Sequence, residues 1–249
     1  MSKLRVAVIG TGMIANSAHF PALNILRKEG LVDVVGVADI RGEVAEETAK
    51  RHSVANWYTD PQKMLDELKP DFVAVCTPNV YHKKWTIAAL KAGAHVACEK
   101  PMATSLADAK EMWQTAKDCG KMLFPCQCMR WRNYMQQSKE LVDSGELGDV
   151  YFSDIEFIRR IGIPTWGMFH MKEHNFGGPF CDLGVHLIDS LLWICGSPKV
   201  VSVSGSAFTK ISNQGEDILL SIAESGAYSG TFTPRKYDYH EFNVEDFST

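Results

Sequence analysis

Apolar runs alternate with helical patterns along the first 125 residues. Six short runs are apolar on both faces, which is typical of strands that are covered from both sides. They are residues 4–9, 34–38, 55–58, 72–76, 95–98 and 122–126. The segments between these runs have helical periodicity. The first helical segment extends to about residue 28, a second covers 42–52, a third begins at 61, and two more cover 80–92 and 105–119. Asp60 before Pro61, and Ser105 three residues before Asp108, are typical helix starts. The pattern predicts an α/β fold with a doubly wound parallel sheet of the Rossmann type.

The pattern changes in the second half. Helical periodicity covers residues 132–144 and 182–195, and strand patterns cover residues 150–160 and 200–209. Residues 161–180 hold four glycines and two prolines, so we expect irregular structure there. Residues 242–249 have the pattern of a strand that begins as the chain stops. We therefore expect a parallel-sheet domain at 1–125 and an α+β domain at 126–249 that is truncated at its end.

Composition excludes several classes of function. The 249 residues carry a net charge of −4 without a basic stripe, which argues against a nucleic-acid partner. No apolar run reaches the roughly 20 residues of a membrane-spanning helix, and the N-terminus has no signal-peptide cleavage site. Cys126 and Cys128 lack the spacing of a zinc knuckle. We expect a cytoplasmic protein whose seven cysteines are reduced thiols.

The turn after the first apolar run has the glycine fingerprint of a dinucleotide site. Gly10 ends the run, Gly12 opens a helix, and Ala15 takes the third position. The first glycine allows a tight turn, and the second lets backbone N–H groups approach a pyrophosphate. Asp39 ends the next strand, where an acid binds the ribose of NAD and repels a 2′-phosphate. Arg41 could neutralise that phosphate, so NADP stays open, as does a tight turn with no ligand.

Two further strand ends carry polar residues. Thr77, Pro78, Asn79 and His82 follow the fourth strand, where ligands of doubly wound sheets bind. A plain turn and helix start explains these residues equally well. The fifth strand ends in Glu99, Lys100 and Pro101, two opposite charges and a residue that cannot continue a ladder.

A carboxylate and an imidazole are four residues apart in "FCDLGVHLID". On a helix, Asp182 and His186 would share one face, and histidine is the usual acid–base group near neutral pH. The alternative is a capping aspartate with a buried structural histidine.

One motif indicates zinc only formally. His170 to His174 match H-x-x-E-H, but that chemistry needs a stable helix, and the glycines and proline at 177–179 would end it. We therefore assign no metal ligand.

Together, G-T-G-M-I-A, T-P-N with His82, E-K-P and G-G-P-F-C-D-L-G-V-H-L-I-D resemble the glucose–fructose oxidoreductase, inositol dehydrogenase and rhizopine-catabolism (Gfo/Idh/MocA) family. The resemblance implies a dinucleotide-binding Rossmann domain at 1–125. It also implies an α+β domain with a broad, largely antiparallel open sheet that binds substrate and forms the oligomer interface. It implies NAD or NADP, a carbohydrate or cyclitol substrate, a homodimer or homotetramer, and a cis peptide bond before Pro101.

The family's catalytic lysine matches Lys100, and its aspartate and histidine match Asp182 and His186. We expect these three to converge on one cleft, where Lys100 steadies a forming alkoxide and His186 acts as base. The candidate cofactor-binding residues are Gly10, Gly12, Met13, Ile14, Asp39, Arg41, Thr77, Pro78, Asn79, His82, Glu99 and Lys100.

Two other functions remain as alternatives. The same family resemblance includes glycoside hydrolases that use held NAD for transient oxidation and elimination. A catalytically silent dinucleotide-binding regulator is the second alternative, although Lys100, Asp182 and His186 together argue against it. The segment at 161–180, which we expect to be the substrate loop, does not identify a substrate.

Overall fold

The computed structural model describes residues 2–158, 168–210, 244 and 246–248. They divide into two compact units, and the chain passes from the first to the second between Cys126 and Gln127. The strands of the first unit are β1 (Leu4–Ile9), β2 (Val32–Ala38), β3 (Trp57–Tyr58), β4 (Phe72–Val75), β5 (His95–Cys98) and β6 (Leu123–Pro125). Each lies within about two residues of its predicted position.

These six strands form one sheet in the order β3-β2-β1-β4-β5-β6. Every neighbouring pair is parallel. The order reverses between β1 and β4, because the chain leaves β1 toward one edge of the sheet and returns to its other side. In such sheets, ligands bind outside the carboxyl ends of the strands at that switch point. The predicted doubly wound fold is confirmed.

Helices connect the strands of the first unit. They are α1 (Phe20–Lys28), α2 (Gly42–Arg51), α3 (Pro61–Leu68), α4 (His82–Lys91) and α5 (Leu106–Asp118). A π-helix at Ala15–His19 precedes α1, and a 3-10 turn at Asn79–Tyr81 precedes α4. Two predicted caps are confirmed: Asp60 accepts from the Gln62 N–H at 2.9 Å, and Ser105 Oγ accepts from the Asp108 N–H at 3.1 Å.

Alternate residues of β1 pack into two separate cores. Ala7 and Ile9 face a cluster that contains Met64 and Leu65 of α3, whereas Val6 and Val8 join a cluster on the opposite side of the sheet. That second cluster includes Phe20 and Leu23 of α1. Burial of each large apolar side chain contributes about 1.5–3 kcal/mol. Both faces of the sheet are therefore covered, so the functional site is expected at the ends of the strands.

The second unit contains α6 (Asn133–Asp143), α7 (Lys172–Asn175), α8 (Val185–Ile194), and the antiparallel strands β7 (Ala207–Phe208) and β8 (Phe247–Ser248). A 3-10 turn at Cys128–Trp131 precedes α6, and a π-helix at Phe180–Gly184 leads into α8. Arg130 in that turn makes a two-pronged ion pair with Asp189 of α8, at 2.6 Å for each bond. None of the helices in the described ranges is long and apolar enough to cross a bilayer.

Three predictions for the second half were wrong or only partly right. Residues 150–158 form no strand, and of residues 200–209 only Ala207–Phe208 do. The H-x-x-E-H stretch, predicted to be irregular, contains the single turn α7, which ends where Phe176 takes a φ of 73°. Residues 159–167, which include part of the expected substrate loop, lie outside the described residues. So do four of the eight residues of the expected last strand at 242–249, of which Phe247–Ser248 form β8.

Candidate dinucleotide and catalytic site

Two different structural features explain why glycine occupies positions 10 and 12 of the fingerprint. Gly10 has a φ of +87°, and a Cβ built on it would lie 2.6 Å from the carbonyl oxygen of Cys76. Protein packing alone therefore requires glycine at position 10. A Cβ on Gly12 would meet no atom of the described residues within 4 Å, apart from its neighbours along the chain. Packing within the described part of the chain does not exclude a side chain there, which fits the close approach of a dinucleotide pyrophosphate. Met13 and Ile14, both half-buried, follow at the start of the helical segment.

Asp39 ties the glycine turn to the end of β2. Its Oδ2 accepts from the N–H and the hydroxyl of Thr11, at 3.0 and 3.2 Å. Its Oδ1 accepts from the N–H and Nε of Arg41, at 3.0 and 3.3 Å. The Arg41 side chain is 43% exposed, so its guanidinium offsets part of the Asp39 charge at the surface. Asp39 thus both shapes the loop and carries negative charge where the fold binds the ribose.

Sequence reasoning missed a support beneath this loop. Asn16 Nδ2 donates to the carbonyl oxygens of Thr11 and Gly12, at 2.7 and 3.0 Å. Its Oδ1 then faces His52 Nε2 at 2.9 Å, and the His52 ring stacks on Phe20 with centroids 4.0 Å apart. These bonds fix the two carbonyl groups of the turn, whose Gly10 and Thr11 N–H groups donate to the Ala38 carbonyl oxygen and to Asp39.

The segment after β4 is joined to the segment after β5 by His82. This ring is 1% exposed, with Nδ1 at 2.7 Å from the Pro101 carbonyl oxygen and Nε2 at 2.8 Å from that of Thr77. The predicted lining role of His82 stays a prediction; the ring lies between the two segments, and in its neutral form it can donate to one of the two carbonyl oxygens. Asn79 is buried, and Pro78 precedes it as the cap of the 3-10 turn. Thr77 Oγ1 is buried with no hydrogen-bond partner in the described residues, which suits a polar ligand.

Acidification below about pH 6.5 is expected to destabilise the first unit. Burial lowers the pKa of His82 from 6.5, more than its two carbonyl contacts and Glu99 raise it. Because the unfolded chain then binds a proton more readily than the folded one, the free energy of unfolding falls as the pH drops below 6.5. The loss is at most about 1.4 kcal/mol per pH unit. Burial and the neighbouring arginines also lower the pKa of His52, with the same sign.

Urea unfolding at pH 7.5, 6.5 and 5.5, followed for the wild type and His82→Gln, measures this loss. The variant should show a shallower fall in the free energy of unfolding below pH 6.5. Equal slopes for the two proteins would contradict the assignment to His82.

Glu99 and Lys100 directly follow β5, at the carboxyl edge of the sheet. Glu99 Oε1 lies 2.8 Å from His19 Nε2, and Oε2 accepts from the backbone N–H of Lys100 at 3.2 Å. Glu99 therefore holds the main chain of Lys100 in place. The predicted cis peptide bond between Lys100 and Pro101 is confirmed.

Asp182 and His186 belong to the second unit. Asp182 lies in the π-helix and His186 in the first turn of α8, so their four-residue spacing crosses a change of helix type. Single π-turns inside helices are frequent at functional sites. His186 is 8% exposed and Asp182 is half-buried. Convergence of these residues with Lys100 stays a prediction.

Comparisons with known proteins agree with this geometry. Residues 4–126 match a model described as an oxidoreductase family with an NAD-binding Rossmann fold, and residues 135–235 match the GFO/IDH/MocA C-terminal domain. D-glucoside 3-dehydrogenase of Escherichia coli (strain K12) is 40% identical over 213 residues, which cover 86% of this chain and 60% of that protein. The scyllo-inositol 2-dehydrogenase (NADP(+)) IolW of Bacillus subtilis (strain 168) is 26% identical, over 81% of this chain and 54% of its own length.

Among solved structures, an NAD-binding protein from Listeria innocua is 31% identical, with a TM-score of 0.68, and the match covers 77% of this chain and 55% of that one. The chain thus spans about 60% or less of the length of these three proteins. Its two matched regions account for most of its own residues, and the N-terminal one is an NAD-binding Rossmann fold. The chain belongs to the Gfo/Idh/MocA oxidoreductase family.

Proposed function

We propose that the protein is an NAD(P)-dependent dehydrogenase that transfers a hydride between the nicotinamide and a CH–OH group of a sugar, polyol or cyclitol. The glycine turn carries the proposal: packing dictates Gly10, whereas Gly12 is bare toward open space beside a buried carboxylate. Those features fit a dinucleotide held by its pyrophosphate and ribose. The nicotinamide, when bound, supplies the hydride acceptor or donor.

The substrate class comes from the relatives. Two of them are named for oxidation of a glucoside and of an inositol, both rings with several neighbouring hydroxyl groups. Lys100 would steady the oxygen of such a hydroxyl as it gains negative charge. His186 would take its proton, and Asp182 would orient the imidazole. Gly10, Gly12, Asp39 and the segment at 77–79 would bind the dinucleotide.

A panel of glucosides, free sugars and inositols with NAD and with NADP tests this function, followed by absorbance of the reduced cofactor. Turnover of at least one ring polyol is expected. An aryl glycoside in the same panel tests the alternative of hydrolysis through transient oxidation, which would release the aryl group without net reduction. Dinucleotide binding with no turnover of either kind would favour the silent regulator.

NAD is expected to bind more tightly than NADP. The carboxylate of Asp39 repels a 2′-phosphate, although Arg41 Nε at 3.3 Å offsets part of that charge. Replacing Asp39 by serine should shift the ratio of the two dissociation constants toward NADP by about tenfold, equivalent to about 1.4 kcal/mol.

Asp33→Asn is a matched control, because Asp33 lies exposed on β2, the strand that Asp39 directly follows. It should leave the ratio unchanged in fluorescence titrations. Equal or tighter binding of NADP to the wild type would refute the preference.

We also infer domain limits of 1–125 and 126–249, a homodimer or homotetramer, and a cytoplasmic location. The passage of the chain between units after Cys126 supports the limits. Light scattering of the purified protein measures the oligomeric state.

A further inference from the structure

We propose that His19, Glu99 and Cys126 form a binding site for a divalent transition-metal ion of the zinc class. One donor atom from each residue lies within 4.8 Å of the other two. The residues are 80 and 27 positions apart in the sequence, so no spacing motif could indicate them. All three belong to the first unit.

The donor atoms are close to the geometry that zinc needs. Zinc bonds of about 2.0–2.1 Å to nitrogen and oxygen and about 2.3 Å to sulfur place tetrahedral ligands about 3.3–3.6 Å apart. The imidazole nitrogen and carboxylate oxygen, now 2.8 Å apart, would separate slightly, and the sulfur would move in by up to about 1.2–1.5 Å. Side-chain rotation can supply shifts of this size.

The main chain holds the three residues in place. The Glu99 N–H donates to the Val75 carbonyl oxygen at 2.9 Å, and the Cys126 N–H to that of Cys98 at 2.8 Å. His19 is the last residue of the π-helix that leads into α1. Glu99 and Cys126 directly follow β5 and β6, so each of these two residues is carried next to the end of a strand.

The chemistry of the donor set also favours zinc. Thiolate, imidazole and carboxylate are its three protein ligand types, and three of them leave a fourth position open, as in catalytic zinc sites. The side chains of His19 and Glu99 are only 16% and 12% exposed, so water competes weakly for the ion. None of the seven cysteines is in a disulfide, and Cys126 would lose its thiol proton on binding.

A simpler account is an ordinary histidine–glutamate pair beside an unrelated thiol. It explains the 2.8 Å contact but makes no demand on Cys126. The two accounts differ in what happens when Cys126 is changed, and neither depends on the proposed hydride transfer. Metal binding is therefore measured without NAD or substrate.

The experiment titrates untagged, reduced and chelator-treated protein with Co²⁺, and then displaces it with Zn²⁺. One equivalent should bind, with a sulfur-to-cobalt charge-transfer band in the absorption spectrum. Cys126→Ser should lose the band. His19→Gln and Glu99→Gln should each weaken Zn²⁺ binding by more than about 100-fold, because removing even an outer partner of a metal ligand typically costs 10–100-fold.

Cys119→Ser is the matched control, since Cys119 is another half-buried thiol of the same unit outside the cluster. It should bind both metals like the wild type. Circular dichroism verifies that each variant is folded. If Cys126→Ser does not fold, the metal affinity of His19→Gln tests the site instead. Absence of saturable binding by the wild type, or affinity unchanged in a folded cluster variant, would overturn the site whether or not the protein is a dehydrogenase.

Discussion

Lys100→Met is expected to lower kcat by roughly 10²–10⁴, the range for losing an acid–base or charge-stabilising group. Lys100 follows β5 at the edge of the sheet where ligands of this fold bind, and its N–H is held by Glu99 Oε2 at 3.2 Å. Methionine keeps most of the side-chain length but has no charge to stabilise an alkoxide. Binding of NAD should change little, because the glycine turn and Asp39 hold most of the dinucleotide.

The control is Lys91→Met, at an exposed lysine at the end of α4. Single-turnover kinetics with the best substrate of the panel, together with NAD titration, separate the chemical step from binding. His186→Ala should produce a similar loss of kcat if it is the base. Near-normal kcat in either variant would remove that residue from the mechanism, and a loss confined to NAD affinity would make Lys100 a binding residue.

The sheet of the first unit could be predicted closely because its strands are buried on both faces. Val6 and Val8 pack against one core and Ala7 and Ile9 against the other, so the run has to be apolar throughout. Continuous apolar runs separated by helical periodicity then define a doubly wound sheet with little ambiguity. The caps at Asp60 and Ser105 are local in sequence, which is why they too were predictable.

The second half was harder, because strands depend on partners that are distant in sequence. Residues 150–158 are rich in β-formers such as Tyr151, Phe152 and Ile158, yet these side chains are exposed and form no strand. β7 pairs with β8, which lies about 40 residues further along the chain, and only two residues of each take part. Strand propensity alone did not determine these elements.

The candidate site shows the same division. Gly10 and Gly12 belong to one contiguous motif, and Asp39 follows the next strand at the distance that the fingerprint predicts, so all three could be found from the sequence. Asn16 and His52 could not, because their contact joins residues 36 positions apart. The π-helices at Ala15–His19 and Phe180–Gly184 could not be predicted either, since their apolar periodicity is hard to distinguish from that of an α-helix.

Gly10→Ala and Gly12→Ala are expected to affect different properties: the first should lower the stability of the protein, and the second should weaken NAD binding. At Gly10, a methyl group would lie 2.6 Å from the Cys76 carbonyl oxygen, at a φ of +87° that alanine rarely adopts. A left-handed φ costs about 1–2 kcal/mol and overpacking a further 1–3 kcal/mol, so Gly10→Ala should destabilise the protein by about 2–5 kcal/mol. Because the clash is with backbone, no side-chain rotation can relieve it.

Gly12→Ala should instead fold with nearly wild-type stability, because the added methyl group meets none of the residues that the structure describes within 4 Å, beyond its neighbours in the chain. It would occupy the space that the pyrophosphate needs, and a steric cost of about 1–3 kcal/mol weakens NAD binding by roughly 5- to 150-fold. Urea unfolding and NAD titration of both variants measure the two effects. If Gly12→Ala bound NAD normally while folded, the glycine turn would be a structural feature only, and the dinucleotide would have to bind elsewhere.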